Sequence, residues 1–281
     1  MDQRSLLLSR YVQAAHWDEA LSMSIGSSTS DIVSGPPFLA IDSPKSLTLL
    51  TFNDPHQTDA ALEQALGQVV SANRNKRIVI EAGAFGPVAL DAQVLLRLGF
   101  AQAKEGATPR VKALTATAAA PQTPSDAEAV SLALPEGLRL IRVFPTSPEW
   151  GHRIDIERIL FYAFDKDGSY CTRLKIALED MCAKGDENYL TMDGDSVAGY
   201  MTMRYGRDVA YLQGAGVLEQ YRKKGITRAM LNVCVQDAIA KGFDSMVTAG
   251  WGEQAERAWI AMGFTLELPV PKVYRREVQQ I

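Results

Sequence analysis

The sequence predicts an α/β protein with mixed sheets, built from two halves of related element order. Three features indicate this class. Strand-like and helix-like patterns alternate along most of the 281 residues, a segment rich in Ala, Thr, Pro and Ser divides them, and the element order of the second half partly recurs in the first. The dividing segment, residues 114–132, has no amphipathic period. We interpret it as a linker between domains 1–113 and 133–281, the alternative being a long surface loop within one domain.

After the linker, the predicted order is β-α-α-β-β-β-α-β-α-β. Strands are indicated by alternating apolar residues and helices by apolar residues spaced i, i+3, i+4. An Asp-Gly turn at Asp193 and Gly194 joins two consecutive strands. The elements run, in order, over residues 137–144, 147–164, 169–183, 188–194, 196–206, 208–217, 225–240, 244–250, 252–262 and 264–270.

The first half repeats the ending of the second. It predicts a strand, a helix, a strand that ends in Ala-Gly and a helix that ends in Gly-Phe, over residues 45–52, 62–69, 77–83 and 90–100. The strand 244–250 also ends in Ala-Gly, and the helix after it ends at Gly263 and Phe264. Two matched endings in the same order indicate a duplication.

Composition excludes several classes of protein. A formal net charge of -4 argues against nucleic acid as the main partner. Three cysteines without a CxxC motif argue against a disulfide framework or a zinc site, so we expect no metal. The N-terminus lacks the long apolar region of a signal peptide, and no stretch approaches about 18 apolar residues. We therefore expect a cytoplasmic protein that does not bind membranes.

The stretch YRKKGITRAM, residues 221–230, is a candidate anion site. Arg222, Lys223 and Lys224 directly precede Gly225, where an amphipathic helix is predicted to begin. A helix N-terminus has unpaired N–H groups and partial positive charge, so a phosphate is stabilised there. Glycine lets the backbone approach the anion closely. The alternative is a solvated turn. In the first half, residues 53–58 contain no glycine and no basic run, so that copy is expected to lack the site.

Residues 216–230, GVLEQYRKKGITRAM, resemble the acyl-CoA-binding motif of the GCN5-related N-acetyltransferase (GNAT) superfamily. That motif is Arg/Gln-x-x-Gly-x-Gly/Ala after a strand, and it is matched here by Arg222, Gly225 and Thr227. Thr227 departs from the small residue of the family, although a hydroxyl there can donate to a phosphate oxygen. The segment AWIAMGF, residues 258–264, is similar to the closing segment of the family. The predicted element order over 137–270 also matches the family's order.

The resemblance implies a GNAT fold, with a degenerate first domain, and acetyl-CoA or another acyl-CoA as co-substrate. It implies that the strand before the motif separates from its neighbour near Gly214 and Gly216. The pyrophosphate would bind the N–H groups of residues 222–227, and the pantetheine would contact the main chain at the end of that strand. The implied cofactor-binding residues are Val217, Leu218, Arg222, Lys223, Lys224, Gly225, Ile226 and Thr227.

The resemblance is weaker for catalysis. Where the family often has a tyrosine that protonates the leaving thiolate, this chain has Trp259, whose N–H is not an acid near neutral pH. Core packing is the alternative for Trp259. Some members place a carboxylate on the strand before the motif, but residues 210–217 offer only Tyr211 and Gln213 on one face. Tyr211 is the better candidate for a polar group at the reaction centre, and an amine that is already partly deprotonated, or a water chain, is the alternative.

Two functions follow as hypotheses. The first is an acyl-CoA-dependent N-acyltransferase that transfers an acyl group to an amine by direct attack on the thioester. The second is a non-catalytic acyl-CoA-binding or regulatory protein, favoured by the missing tyrosine and carboxylate. The acceptor is expected to be a small-molecule or peptide amine. The sequence leaves the acceptor, the acyl chain length and the oligomeric state open, a homodimer included.

Overall fold

The structure is a computed structural model. It describes residues 31–35, 38–52, 59–80, 92–103, 108–114, 134–206, 209–250, 252–270 and 272–278, and helical residues between 3 and 15 other than 5, 9 and 13. The chain forms two compact units. Unit 1 comprises Met1–Pro109 and Leu268–Ile281, and unit 2 comprises Arg110–Glu267.

Unit 1 contains a six-stranded mixed sheet in the order β1-β2-β3-β4-β13-β5. Its strands are β1 Asp31–Gly35, β2 Phe38–Asp42, β3 Ser46–Phe52, β4 Arg77–Ile80, β5 Ala101–Gln102 and β13 Tyr274–Arg276. Besides the helical residues near the N-terminus, it contains the helices α1 Asp59–Ala72 and α2 Ala92–Arg97. Strands β3 and β4 are parallel, and α1 connects them. The core of this unit contains Leu49, Leu66, Ile78, Leu95 and Phe100, each at most 2% exposed.

Unit 2 contains a seven-stranded mixed sheet in the order β12-β6-β11-β10-β9-β8-β7. Its strands are β6 Pro109–Ala113, β7 Leu138–Val143, β8 Glu187–Asp193, β9 Ser196–Tyr205, β10 Ala210–Val217, β11 Ser245–Ala249 and β12 Leu266–Glu267. Its helices are α3 Trp150–Leu160, α4 Ser169–Ala183, α5 Ile226–Ala240 and α6 Glu253–Ala261. From β7 to β12 the order is the predicted one.

Helices cover both faces of this sheet. On one face, α5 packs on the sheet through Met230, Leu231 and Cys234, together with Met201 and Met203 of β9. On the other face, α3 and α4 pack on β8 and β9, and Met192 lies in that core. Met192, Met201 and Met203 are each at most 1% exposed and belong to the core. No helix in the described part of the chain is long and apolar enough to cross a membrane.

The predicted duplication is visible in the topology of the two units. Both contain the order strand, helix, parallel strand, helix: β3-α1-β4-α2 in unit 1 and β10-α5-β11-α6 in unit 2. In both sheets a further strand lies between the second of these strands and the short strand that follows the last helix. That strand is β13 in unit 1 and β6 in unit 2.

These inserted strands explain why the units differ from the predicted domains 1–113 and 133–281. Residues 110–113 of β6 join the second unit, and the C-terminal β13 joins the first. Leu114, assigned to the linker, is buried in the core of unit 2, and its N–H donates to Asp244 O at 2.8 Å. Residues 115–133 lie outside the described residues. Local periodicity indicates a strand but does not identify the sheet that the strand joins. The sequence pattern alone therefore could not predict that β6 joins unit 2 and β13 joins unit 1.

Candidate functional site

The sheet of unit 2 opens between β10 and β11. These two strands pair in parallel only from Ala210 with Met246 to Leu212 with Thr248, whereas β10 continues to Val217. A bulge between Leu212 and Gly214 interrupts the pairing of β10 with β9 at the same place. The edge of β10 beyond Leu212 therefore has no pairing with β11. This separation is the one expected near Gly214 and Gly216.

Because Gly214 and Gly216 have no side chains, Leu160 and Tyr200 can pack closely against them from the α3 side of the sheet. A Cβ on Gly216 would lie 2.4 Å from Leu160 Cδ1 and 2.8 Å from Tyr200 Cε1. A Cβ on Gly214 would lie 3.4 Å from the Tyr200 hydroxyl. Because atoms cannot approach that closely without moving, larger residues at position 216 would displace Leu160 or Tyr200. The open edge of β10 thus rests directly on the Tyr200 ring.

The basic turn after β10 has a special backbone. Lys223 has φ 63°, and Gly225 has φ 82° and ψ 0°. The left-handed region is natural for glycine, but in a lysine it costs of order 1 kcal/mol or more. Two left-handed residues within three positions turn the chain sharply into α5. The first bond of the helix runs from Ala229 N to Gly225 O at 3.0 Å. The N–H groups of residues 226–228 therefore have no helical acceptor.

A cleft of about 310 Å³ adjoins this turn. One part of its wall is the turn and the first residues of α5, which supply cations and free N–H groups. The other part is an apolar strip of α6. The lining residues are Val217, Tyr221, Arg222, Lys223, Gly225, Ile226, Thr227, Arg228, Ala258, Ala261 and Met262. Six of the eight predicted cofactor-binding residues line this cleft.

The predicted cations divide into two groups. Arg222 and Lys223 line the cleft, and Arg222 Nε also donates to Val217 O at 3.1 Å, which ties the guanidinium to the end of β10. Lys224 does not line the cleft, and its ammonium lies over the Tyr221 ring, 5.3 Å from the centroid. Arg228, which is not among the predicted binding residues, also lines the cleft. It lies three residues after Gly225, within the first helical turn.

Some main-chain groups at the end of β10 already form hydrogen bonds within the protein. Leu218 N donates to Ala198 O at 3.0 Å, and Leu218 is buried and outside the cleft lining. Its N–H therefore belongs to the sheet, which leaves less room for the predicted contact with pantetheine. Val217 lines the cleft, but its carbonyl already accepts from Arg222. The contacts of Val217 and Leu218 with a ligand stay predictions.

The two predicted catalytic residues lie away from the turn. Tyr211 is 9% exposed and sits in the closed part of the sheet, opposite Arg204 of β9 and Val247 of β11. Trp259 is also 9% exposed and meets Phe264 edge to face, with centroids 5.5 Å apart. Its ring packs on Gly250, just after β11. Neither lines the cleft. The packing alternative describes Trp259 as it stands, and catalytic roles for both residues stay predictions.

Several lining residues were missed by sequence reasoning. Ala258, Ala261 and Met262 follow helical spacing on α6, a signal that only indicates a shared face. Tyr221 supports the turn, because its hydroxyl donates to Asp193 Oδ2 at 2.9 Å and its ring holds Lys224. The hydrogen bond to Asp193 raises the pKa of Tyr221, so its hydroxyl stays protonated at neutral pH.

A buried polar network lies beneath the open edge of β10. Arg153 is 2% exposed, and its guanidinium stacks 4.0 Å from the centroid of the Tyr200 ring. It contacts Glu157 Oε1 at 2.8 Å, donates to Thr202 Oγ1 at 3.1 Å and donates to Asn188 Oδ1 at 3.2 Å. Burial raises the pKa of Tyr200, and the nearby Glu157 carboxylate raises it further. Tyr200 is therefore held as a neutral phenol.

The acidic turn between α3 and α4 serves the structure. Asp165 accepts hydrogen bonds from Cys171 N at 2.8 Å and Tyr170 N at 3.0 Å, and the bond from Cys171 N is the main cause of its lowered pKa. Asp167 accepts from Ser169 N at 3.1 Å. Both carboxylates therefore satisfy free N–H groups at the start of α4.

Comparison with known proteins gives one family and a set of similar folds. The sequence model of the acetyltransferase (GNAT) family matches residues 154–264. No curated protein sequence matches the chain. A tandem GNAT protein from the clavulanic acid biosynthesis pathway has 12% identity and a TM-score of 0.60, covering 100% of this chain and 97% of that one.

Two further structures are similar along almost the whole chain. A conserved protein of unknown function from Bacteroides thetaiotaomicron has 10% identity and a TM-score of 0.60, covering 96% of this chain and 94% of that one. FemX has 11% identity and a TM-score of 0.56, covering 98% and 96%. At these identities the likeness concerns the fold alone. The chain therefore carries an acetyltransferase (GNAT) family domain at residues 154–264, within unit 2, and has the fold of a tandem GNAT protein.

Proposed function

We propose that unit 2 binds acetyl-CoA, or another acyl-CoA, and transfers its acyl group to an amine. The observation that carries this proposal is the left-handed turn at Lys223 and Gly225, which presents free N–H groups and cations to one cleft directly beside the open edge of β10. An acyl-CoA consists of a polyanionic part and an extended chain. The turn suits the polyanionic part, and the open edge of β10 suits the extended chain.

The turn suits the pyrophosphate. The N–H groups of residues 226–228 have no helical acceptor, and the positive end of α5 lies at the same place. Arg222, Lys223 and Arg228 line the cleft, and hydrogen bonds from charged groups contribute about 1.5–3 kcal/mol each. The apolar strip Ala258, Ala261 and Met262 offers surface to less polar parts of the ligand.

The open edge of β10 suits the pantetheine and the thioester. Past Leu212 its main chain lacks pairing with β11, so an extended ligand can pair there as a strand would. In the proposed reaction the amine nitrogen attacks the thioester carbon and the C–S bond breaks. Coenzyme A leaves as the thiolate, and the nitrogen loses a proton to water.

A second function is favoured by one observation. Trp259, at the position where the family often has its acid, is packed in the core against Phe264 and Gly250. A protein that binds acyl-CoA without turning it over would keep the anion site and need no acid. Binding and turnover must therefore be measured separately.

The test has two stages. Titration calorimetry with coenzyme A is expected to show saturable binding, weakened about tenfold in Arg228→Gln and unchanged in Arg173→Gln, which removes an exposed arginine from α4. Thiol release from acetyl-CoA is then followed with a panel of primary amines, including hydroxylamine as a small nucleophile. Release above the uncatalysed rate supports the transferase. Binding without release across the panel supports the second function, and absence of binding refutes both.

A further inference from the structure

The side chain of Gln213 has a buried oxygen that the fold leaves unpaired. Its Oε1 is shielded from solvent and has no hydrogen-bond partner in the described part of the chain. Removing an amide oxygen from water without a partner costs roughly 1–3 kcal/mol. Such groups are uncommon in folded proteins, and a functional role is one of the explanations for them.

Gln213 lies at the inner end of the opening between β10 and β11. Leu212 is the last residue of β10 that pairs with β11, and Thr248 Oγ1 donates to Leu212 O at 3.0 Å, which closes that pair. The bulge places Gln213 between Leu212 and Gly214, outside the regular register with β9. It is therefore the first residue of the unpaired edge along which we have placed the acyl-CoA.

From this position we infer that Gln213 Oε1 accepts a hydrogen bond from the N–H of the attacking amine. The inference rests on the proposed function. An unpaired acceptor needs a donor. The thioester has no N–H or O–H group, and the nearest N–H of the pantetheine lies two carbons beyond the sulfur. The donor that arrives at the thioester during the reaction is the nitrogen of the second substrate. A neutral amide orients that nitrogen without taking its proton, which leaves to water when the C–S bond breaks.

This role predicts opposite effects on stability and on rate. Gln213→Met keeps the length of the side chain and removes the unpaired oxygen, so the melting temperature is expected to hold or rise. The same variant loses the contact with the amine, so kcat/KM for the amine falls about tenfold. Gln213→Glu keeps an acceptor oxygen but buries a charge, so it is expected to keep the rate and lose melting temperature.

The experiment compares the parent, these two variants and Gln236→Met, a control at a half-buried glutamine of α5. Hydroxylamine is the amine, acetyl-CoA is saturating, and hydroxamate formation and melting temperature are measured together. The inference is supported if Gln213→Met melts at or above the parent's temperature with about tenfold lower activity, while Gln213→Glu melts lower and keeps the parent's activity. Gln236→Met is expected to change neither activity nor coenzyme A affinity.

Two results would overturn the inference while the transferase stands: full activity of Gln213→Met, or a loss of activity that follows a loss of melting temperature in both variants. A parent protein that binds coenzyme A but releases no thiol with any amine of the panel refutes the transferase instead, and the role of Gln213 falls with it.

Discussion

A substitution at Gly225 can test the proposed anion site separately from the stability of α5. It is the residue before α5, with φ 82°, and a Cβ placed on it would meet no atom within 4 Å. Gly242, just past the other end of α5, has φ 87° and equally open space. An alanine at either position therefore costs about 1 kcal/mol of backbone strain and causes no clash. Only Gly225 lies in the cleft lining.

Gly225→Asp adds a negative charge where the phosphates would bind. Two unit charges about 4 Å apart interact with about 1 kcal/mol in water and about 4 kcal/mol at an effective dielectric of 20. We expect a loss of coenzyme A affinity of at least about tenfold. An acidic residue at a helix N-terminus gains about 0.3–1 kcal/mol, which offsets part of the strain, so the melting temperature should change little.

The assay is titration calorimetry with coenzyme A at low and high salt, with melting curves for each variant. Gly225→Asn has nearly the same size without the charge, and it should bind more tightly than Gly225→Asp, by a ratio that shrinks as salt rises. Gly242→Asp should leave affinity unchanged. If Gly225→Asp binds coenzyme A as tightly as the parent while folded, the anion lies elsewhere and the reasoning is refuted.

Two further predictions concern reactive side chains. Tyr211→Phe should lower turnover about a hundredfold, because it removes a hydroxyl from the strand that leads to the opening. Trp259→Phe removes no hydroxyl and should lower turnover less than tenfold. A full-rate Tyr211→Phe enzyme would remove Tyr211 from the mechanism. Burial raises the pKa of Cys171 to about 11 and the pKa of Cys234 well above its ordinary value. Both thiols should therefore react with Ellman's reagent at pH 8 only after unfolding. Rapid labelling of both thiols in the folded protein would contradict this.

The basic turn before α5 was predictable because its signals are contiguous. Strand, basic turn, glycine and amphipathic helix occupy residues 210–240, and each follows from local sequence. Cys171, Cys182 and Cys234 are free cysteines in this structure. Which cations face the cleft was less predictable. Lys224, a predicted contact, lies outside the lining, and Arg228, which was not predicted, lies in it. The chain enters this turn through the left-handed backbone at Lys223, and the sequence gives no sign of a strained lysine.

The polar network under β10 was missed for a different reason. Arg153 and Glu157 are four residues apart, a spacing typical of a solvated helix face. Their burial depends on Asn188 and Thr202, which reach them from strands 35 and 49 residues later. Such burial becomes visible only when the tertiary contacts are known.

The inserted strand β6 gives a final prediction about where the chain can be cut. A fragment that starts at residue 133, after the predicted linker, would lack β6. It would lose Val111, which is 3% exposed and contributes about 1.5–3 kcal/mol by its burial. It would also lose Lys112, whose ammonium donates to Met262 O at 2.9 Å, and Arg110, which pairs with Glu256.

Both lost contacts hold α6, which forms the apolar wall of the cleft. We therefore expect fragment 108–270 to unfold cooperatively and to bind coenzyme A with nearly the affinity of the whole chain. Fragment 133–281 should melt lower and bind at least tenfold more weakly, because its cleft wall is unsupported. Calorimetry and thermal melts on both fragments provide the measurement. Equal affinity of the two fragments would show that β6 completes the sheet without supporting the site.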